Sequence, residues 1–340
     1  MIKHNATSRQ RSLMMLLIAL LSMLVVGCST STSSTSTKPT SVVAQSVQTL
    51  IAFDPAKQEF AENLAIDSQG DVYVTLLQAG EVRRLTPDGK QSSFFLPVGK
   101  GGSVAGITFD EQGRLYVLVG SSDAEKMGIW QLYSDGSSRR IAALPTSAMP
   151  NGMTVDRQGN LYAADSKGGI IWRVLAGSNK AERWLQHPLI APQPHDIQLP
   201  NGAKVTLSVG PNGLHFFQGN LYISVSGQAT LVRVPLNWDG SPGTPAVYLK
   251  NVSIDDFIFD SSGNLYLAAN RSGGLIANEI ERVKPDATYT TLASDANGLD
   301  EPSAVEFGTG ASEQGKLYIT NIGMFSAAKH PSLEVLSLNA

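Results

Sequence analysis

The chain has 340 residues, with 26 Lys and Arg against 29 Asp and Glu and a formal net charge of −3. The cationic side chains stand singly, which excludes the clustered basic face of a nucleic-acid-binding protein. Hydrophobic residues at 42 % allow a sizeable core, the one Cys excludes an intrachain disulfide, and 32 Gly suit an architecture of many tight turns. A single all-β domain of this length is as reasonable as two average domains.

At the start of the chain, Lys3, His4, Arg9 and Arg11 precede an apolar run from Leu13 to Val26. A charged start, a short apolar run and a small-residue end read as an export signal rather than a spanning helix. The run closes on Val25-Val26-Gly27-Cys28, which resembles the lipobox of bacterial lipoproteins. That resemblance implies cleavage before Cys28, lipidation of its thiol, and anchoring to the cell membrane or outer membrane. An ordinary signal with an incidental Cys, or an uncleaved anchor, is the alternative. Residues 1–27 are thus expected to be signal. Residues 28–46 are expected to be the acylated Cys and a Ser/Thr-rich tether, too poor in apolar residues to pack. Residues 47–340 remain for the folded domain.

Within that domain one phrase recurs six times: an apolar strand, a turn with Gly, then Leu or Val, Tyr and a second strand. The copies centre on Asp67-Ser68-Gln69-Gly70, Asp110-Glu111-Gln112-Gly113, Asp156-Arg157-Gln158-Gly159, Gln218-Gly219, Asp260-Ser261-Ser262-Gly263 and Gln314-Gly315. Asp bonds back to the following amides and Gly supplies positive φ, which is hairpin chemistry. A third strand follows in most copies, as in Ile171-Trp172-Arg173-Val174, and a weaker fourth after turns such as Pro87-Asp88-Gly89. Four antiparallel strands repeated every forty to fifty residues, roughly, predict an all-β, six-bladed β-propeller. The sixth copy has three strands, ending at Leu333–Leu338. The segment Val47 to Phe53 is expected to supply its fourth and close the ring. The repeated Tyr, with Trp130 and Trp172 at equivalent third-strand positions, reads as packing rather than as a site.

Inner strands of a propeller face a common axis. Five residues before each turn Asp, or its equivalent, stand Glu62, Ala105, Asn151, Asn212, Asp255 and Ser303. Two carboxylates and two amides converging there form a hard oxygen set suited to Ca²⁺ or another divalent cation, whereas soft metals lack their Cys and His clusters. The same four residues could instead be a hydrogen-bonded polar plug, and the Asn-Gly pairs mere turn residues. His215 falls inside an apolar strand and reads as a satisfied core histidine. The stretch from Gln186 to Val209 is long for a link and is expected over the channel mouth, with His195 and Asp196 as solvated residues or substrate contacts.

With Glu62-Asn63, Asn151-Gly152, Asn212-Gly213 and Asp255-Asp256 in view, the chain resembles the senescence-marker protein/gluconolactonase family and, more distantly, the paraoxonases. The resemblance covers about Val47 to Leu338. It implies a divalent cation held by Glu62, Asn151, Asn212 and Asp255, and hydrolysis of a lactone or ester, with Asp255 as general base. A carboxylate beside a cation makes a weak base, so Asp256, if it points near the mouth, is the alternative base. Asn63-Leu64 departs from the family's Gly-Pro context, and Ala105 contributes no ligand. The expected function is therefore a Ca²⁺-dependent hydrolase of small lactones or esters at the cell envelope, acting as a monomer without nucleic acid. The alternatives are a non-catalytic ligand- or protein-binding propeller and, third, a lyase on the same frame, which would want a His base at the mouth.

Overall fold

The computed structural model describes residues 46–199, 201–270, 278–310 and 313–338. The signal segment, Cys28 and the tether to residue 45 lie outside the described residues.

In chain order, β1 (Val47–Ala52) is followed by a sheet of β2 (Ala61–Ile66), β3 (Val72–Leu76), β4 (Glu81–Leu85) and β5 (Gln91–Phe95). The second sheet is β6 (Ser103–Phe109), β7 (Leu115–Gly120), β8 (Gly128–Leu132) and β9 (Ser138–Ala143). The third is β10 (Pro150–Val155), β11 (Leu161–Asp165), β12 (Ile170–Val174) and β13 (Ala181–Gln186). A two-stranded hairpin, β14 (Gln193–Gln198) and β15 (Lys204–Val209), precedes the fourth sheet. That sheet is β16 (Pro211–Phe217), β17 (Asn220–Val225), β18 (Thr230–Pro235) and β19 (Ala246–Lys250). The fifth is β20 (Ile254–Phe259), β21 (Leu265–Ala269), β22 (Glu279–Val283) and β23 (Tyr289–Ser294). In the sixth, β24 (Pro302–Phe307), β25 (Lys316–Asn321) and β26 (Ser332–Ser337) are completed by β1, paired antiparallel to β26 with Val47 opposite Leu336.

The recurring phrase has a physical reason. In the first copy the Asp67 Oδ1 accepts from the backbone N–H groups of Gln69 at 2.9 Å and Asp71 at 3.0 Å. In the third, Asp156 Oδ1 does the same for Gln158 and Asn160, while its Oδ2 accepts the Tyr162 hydroxyl at 3.1 Å. The Asp thus seals the turn on one side and satisfies the buried Tyr on the other, so both residues recur together. In the sixth copy Glu313 takes this part, accepting from Tyr318 at 2.6 Å.

Each sheet is apolar on both faces, so it needs a neighbour on either side. Six hydrophobic clusters lie between consecutive sheets. One joins Leu118 and Ile129 of the second sheet to Ala163 and Trp172 of the third, and another joins Ile51 and Leu333 of the sixth to Val74 and Leu76 of the first. Consecutive inner strands also neighbour one another, β2 beside β6, through β10, β16 and β20 to β24, which lies beside β2. This is a β-propeller architecture, with the first strand of each sheet on the axis.

The segment expected as a long loop from Gln186 to Val209 instead forms the β14–β15 hairpin, with His195 opposite Leu207. Main-chain pairing supplies what a loop of that length would lack, and Ile197 is buried. The Asn-Gly pairs are not turns either. They lie in strands, at the register breaks between Pro150 and Met153 and between Pro211 and Leu214.

Candidate functional site in the central channel

Five of the six inner strands break register at the same place, between Ala61 and Leu64, Val104 and Ile107, Pro150 and Met153, Pro211 and Leu214, and Ile254 and Phe257. The sixth breaks between Pro302 and Ala304. Each break contains one residue of the axial set read from the repeat: Glu62, Ala105, Asn151, Asn212, Asp255 and Ser303. A bulge turns the local chain and re-aims its side chains. Here it also lets adjacent inner strands approach closely. A Cβ on Gly152 would collide with the Asn212 carbonyl oxygen, and one on Gly213 with Asp256. That explains why Gly follows Asn in these strands.

Glu62 is buried, and among the described residues its carboxylate makes no hydrogen bond. Burial, then the nearby Asp255 and Asp256 charges, hold its pKa well above the usual carboxylate range. Asp255 accepts from Asn212 Nδ2 at 2.5 Å and from Asn270 Nδ2 at 2.6 Å. Burial pushes its pKa up to about 7; the amide hydrogen bonds oppose the rise, while Asp256 and Glu301 reinforce it. Ser224 Oγ donates to the Asp255 carbonyl oxygen at 2.6 Å and accepts from Gly213 N–H at 2.7 Å, fixing both bulges. Asn151 is half-buried at the same level. Ser303 turns away from this function: its hydroxyl bonds the Ala61 carbonyl oxygen at 2.9 Å and the Thr320 hydroxyl at 3.0 Å.

A divalent cation fits this donor set. Among the described residues no cationic side chain compensates the two buried carboxylates, and every candidate ligand is an oxygen. Among the described residues no three carboxylate, imidazole or thiolate groups converge closely enough to hold a metal by themselves. The amide oxygens of Asn151 and Asn212 would therefore have to take part. The Asn212 amide nitrogen faces Asp255, so that amide would have to turn to offer its oxygen.

Asp256 does not point to the mouth. Its Oδ2 accepts from Asn63 Nδ2 at 3.0 Å across the axis, and its Oδ1 lies 3.4 Å from His215 Nε2. It lines a cavity of about 270 Å³ deeper in the channel, together with Thr108, Thr154, His215 and Glu306. His215 is accordingly a channel residue and not a core histidine. Burial draws its pKa down, but Asp256 and Glu306 outweigh that and leave it raised. Burial lifts Glu306 to about 7 against the opposing pull of His215.

This deeper layer was missed, although its signal is in the repeat. Ala65, Thr108, Thr154, His215, Ile258 and Glu306 are each the partner of the repeated Tyr across the first strand pair. The bulge inserts one residue, so the second inward position comes three residues after the first, out of step with simple alternation. Asn270 was missed because it follows the second strand rather than opening the first. In the hairpin, Asp196 is exposed and bonded to Thr206 at 2.8 Å; the side chain of His195 lies outside the described residues.

No protein-family model matches the chain, and no curated protein matches it by sequence. Solved structures do share its fold. A gluconolactonase of Xanthomonas campestris is similar at 16 % identity and a TM-score of 0.60, over 86 % of this chain and 89 % of that one. A regucalcin of Agrobacterium tumefaciens, a calcium-binding protein, is similar at 16 % identity and a TM-score of 0.59, over 88 % and 97 %. A virginiamycin B lyase of Staphylococcus aureus is similar at 14 % identity and a TM-score of 0.58, over 86 % and 99 %. The chain thus shares its fold with a gluconolactonase, a regucalcin and a lyase.

Proposed function

We propose that the chain is a divalent-cation-dependent, Ca²⁺-preferring hydrolase of small lactones or esters. It is read as a six-bladed propeller closed by β1 and tethered to the cell envelope through Cys28. The observation that carries the reading is the pair of buried carboxylates, Glu62 and Asp255, brought near each other on the axis with no cationic side chain beside them among the described residues. Similar folds in a gluconolactonase and a calcium-binding regucalcin support it.

A bound cation would act there as a Lewis acid, polarising the substrate carbonyl and favouring the oxyanion. Glu62, Asn151, Asn212 and Asp255 would hold it. The chain's own residues do the rest. Asn212 and Asn270 orient the Asp255 carboxylate, and Ser224 fixes its backbone. Asp255 is the candidate general base, since it stands at the start of its strand, on the mouth side of Asp256. Asp256 lines the deeper cavity, away from the mouth, so it is the weaker candidate base.

The test is turnover of a panel of sugar-derived and aliphatic lactones with added Ca²⁺, with chelator, and in Asp255→Ala. Activity should vanish in the last two. Turnover that survives both treatments would sink the proposal, and absence of any turnover with tight ligand binding would favour the non-catalytic propeller.

A further inference from the structure

Trp238 is 99 % exposed, at the tip of the turn between β18 and β19. That turn is braced. Asn237 N–H donates to the Ser241 carbonyl oxygen and Gly240 N–H to that of Asn237, both at 2.9 Å, while Asp239 Oδ1 accepts from the Ser241 amide at 2.9 Å and hydroxyl at 2.6 Å. From the protein side, Trp184 Nε1 donates to the Gly240 carbonyl oxygen at 2.8 Å. The turn that carries the indole is therefore rigid, so burying Trp238 would order its side chain without also ordering the loop.

It has company on the same face. The equivalent turns of the two preceding sheets expose Tyr133 and Leu175, at 37 % and 45 %. The corresponding turns of the first and fifth sheets instead carry Pro87-Asp88 and Pro285-Asp286. The apolar turns are thus contiguous over three sheets. The face is also the one at which the folded domain begins: Val47 pairs with Leu336 at the end of the sixth sheet that carries Ser337 and Phe307. Glu62 and Asp255 lie near the opposite ends of the inner strands.

We propose that this face lies against a phospholipid bilayer, with the Trp238 turn seated in the headgroup interface and the mouth carrying Glu62 and Asp255 opening away from the membrane. Indole favours that interface because it has an apolar body and a polar N–H. One apolar tip, Trp238, with apolar residues at the bases of two neighbouring turns, suits a soft surface better than a protein partner, which needs a contiguous dry core. Asp135 and Asp239 sit on the same turns, so attraction to anionic lipid is not the driving force. The orientation rests on the proposed anchor at Cys28. Between Cys28 and Val47 the chain can extend at most about 65 Å, which brings the domain to the surface but permits any orientation. The apolar turns select one.

The test uses the full lipidated chain in phosphatidylcholine vesicles, with and without lipid brominated in the acyl chain. Trp172 and Trp184 are buried and Trp130 is half-buried, so the difference between wild type and Trp238→Phe isolates the exposed indole. Quenching by brominated lipid should be present in the wild type and lost in Trp238→Phe, and quenching of Trp238 by aqueous acrylamide should fall several-fold on reconstitution, with little dependence on salt. Vesicle flotation reads the anchor separately. A protein that floats while Trp238 remains fully open to acrylamide overturns the docking face and leaves the anchor standing. One that does not float overturns the anchor, and the orientation with it. Shielding of Trp238 in vesicle-free solution as concentration rises would mean that a second copy covers it, which also overturns the proposal. None of these readouts depends on turnover, so failure of the hydrolase reading would not disturb them.

Discussion

Asp255 shows how position on the axis changes the chemistry of an ordinary carboxyl. In the folded state its pKa stands at about 7 against an ordinary 3.8, chiefly because it is buried. Between those values the folded chain binds more protons than the unfolded one, so stability is highest at the acid end and declines as pH rises through the window. Chelator-treated protein should therefore melt at a lower temperature near pH 8 than near pH 5. Added Ca²⁺ should raise the melting temperature more at the higher pH, because it offsets two ionised carboxylates there. In Asp255→Asn the cation-dependent part should disappear, whereas part of the pH slope should persist, since Glu306 is raised in the same direction. Differential scanning calorimetry at the two pH values checks this, and a Ca²⁺ shift of equal size at both would contradict it.

Among the elements, the hairpin joining the first two strands of a sheet is the unit that repeats. Asp156 accepts from Gln158 N, Asn160 N, Asn160 Nδ2 and the Tyr162 hydroxyl. Tyr162 in turn packs edge-on against Trp184 at 5.1 Å and Phe216 at 5.0 Å. Asp156→Ala leaves two turn amides without their acceptor and removes one of the partners of the Tyr162 hydroxyl, and should cost about 1–3 kcal/mol in urea unfolding. A loss below about 0.5 kcal/mol, the usual range for an inconsequential surface change, would show that the turn holds itself together. The inner-strand bulges make a second demand. Gly152→Ala would push a methyl group into the Asn212 carbonyl oxygen. It should destabilise the protein by roughly 1–3 kcal/mol and weaken cation binding, measured by calcium titration, because Asn212 would be displaced.

For the whole molecule, the first and last described strands meet in one sheet. Ile51 of β1 is buried among Leu64, Val74 and Leu333, in the cluster that joins the sixth sheet to the first. Ile51→Ala should therefore cost about 2–5 kcal/mol, the range for a buried aliphatic truncated to Ala. Chemical denaturation reads it, and a cost near zero would mean that β1 is dispensable for the stability of the sixth sheet. Removing the whole of β1 would also bare the edge of β26, which invites pairing between molecules.

The strands, their turns and the axial positions of Glu62, Asn151, Asn212 and Asp255 were legible in the chain itself, because Asp-x-x-Gly and the following Tyr are local chemistry that repeats. Ala105 likewise announced a position without a side-chain donor. What lay beyond the sequence depends on contacts between distant strands. Asn63 meets Asp256 across the axis, and Asn270 reaches Asp255 from beyond a second strand. His215 turns from an apparent core position into the channel, because the bulge shifts the inward face by one residue. The Gln186–Val209 segment becomes a hairpin because its main-chain groups pair with each other. Periodicity along one strand determines which residues can face the axis, and only the packing of all the inner strands decides which of them touch and what charge they share.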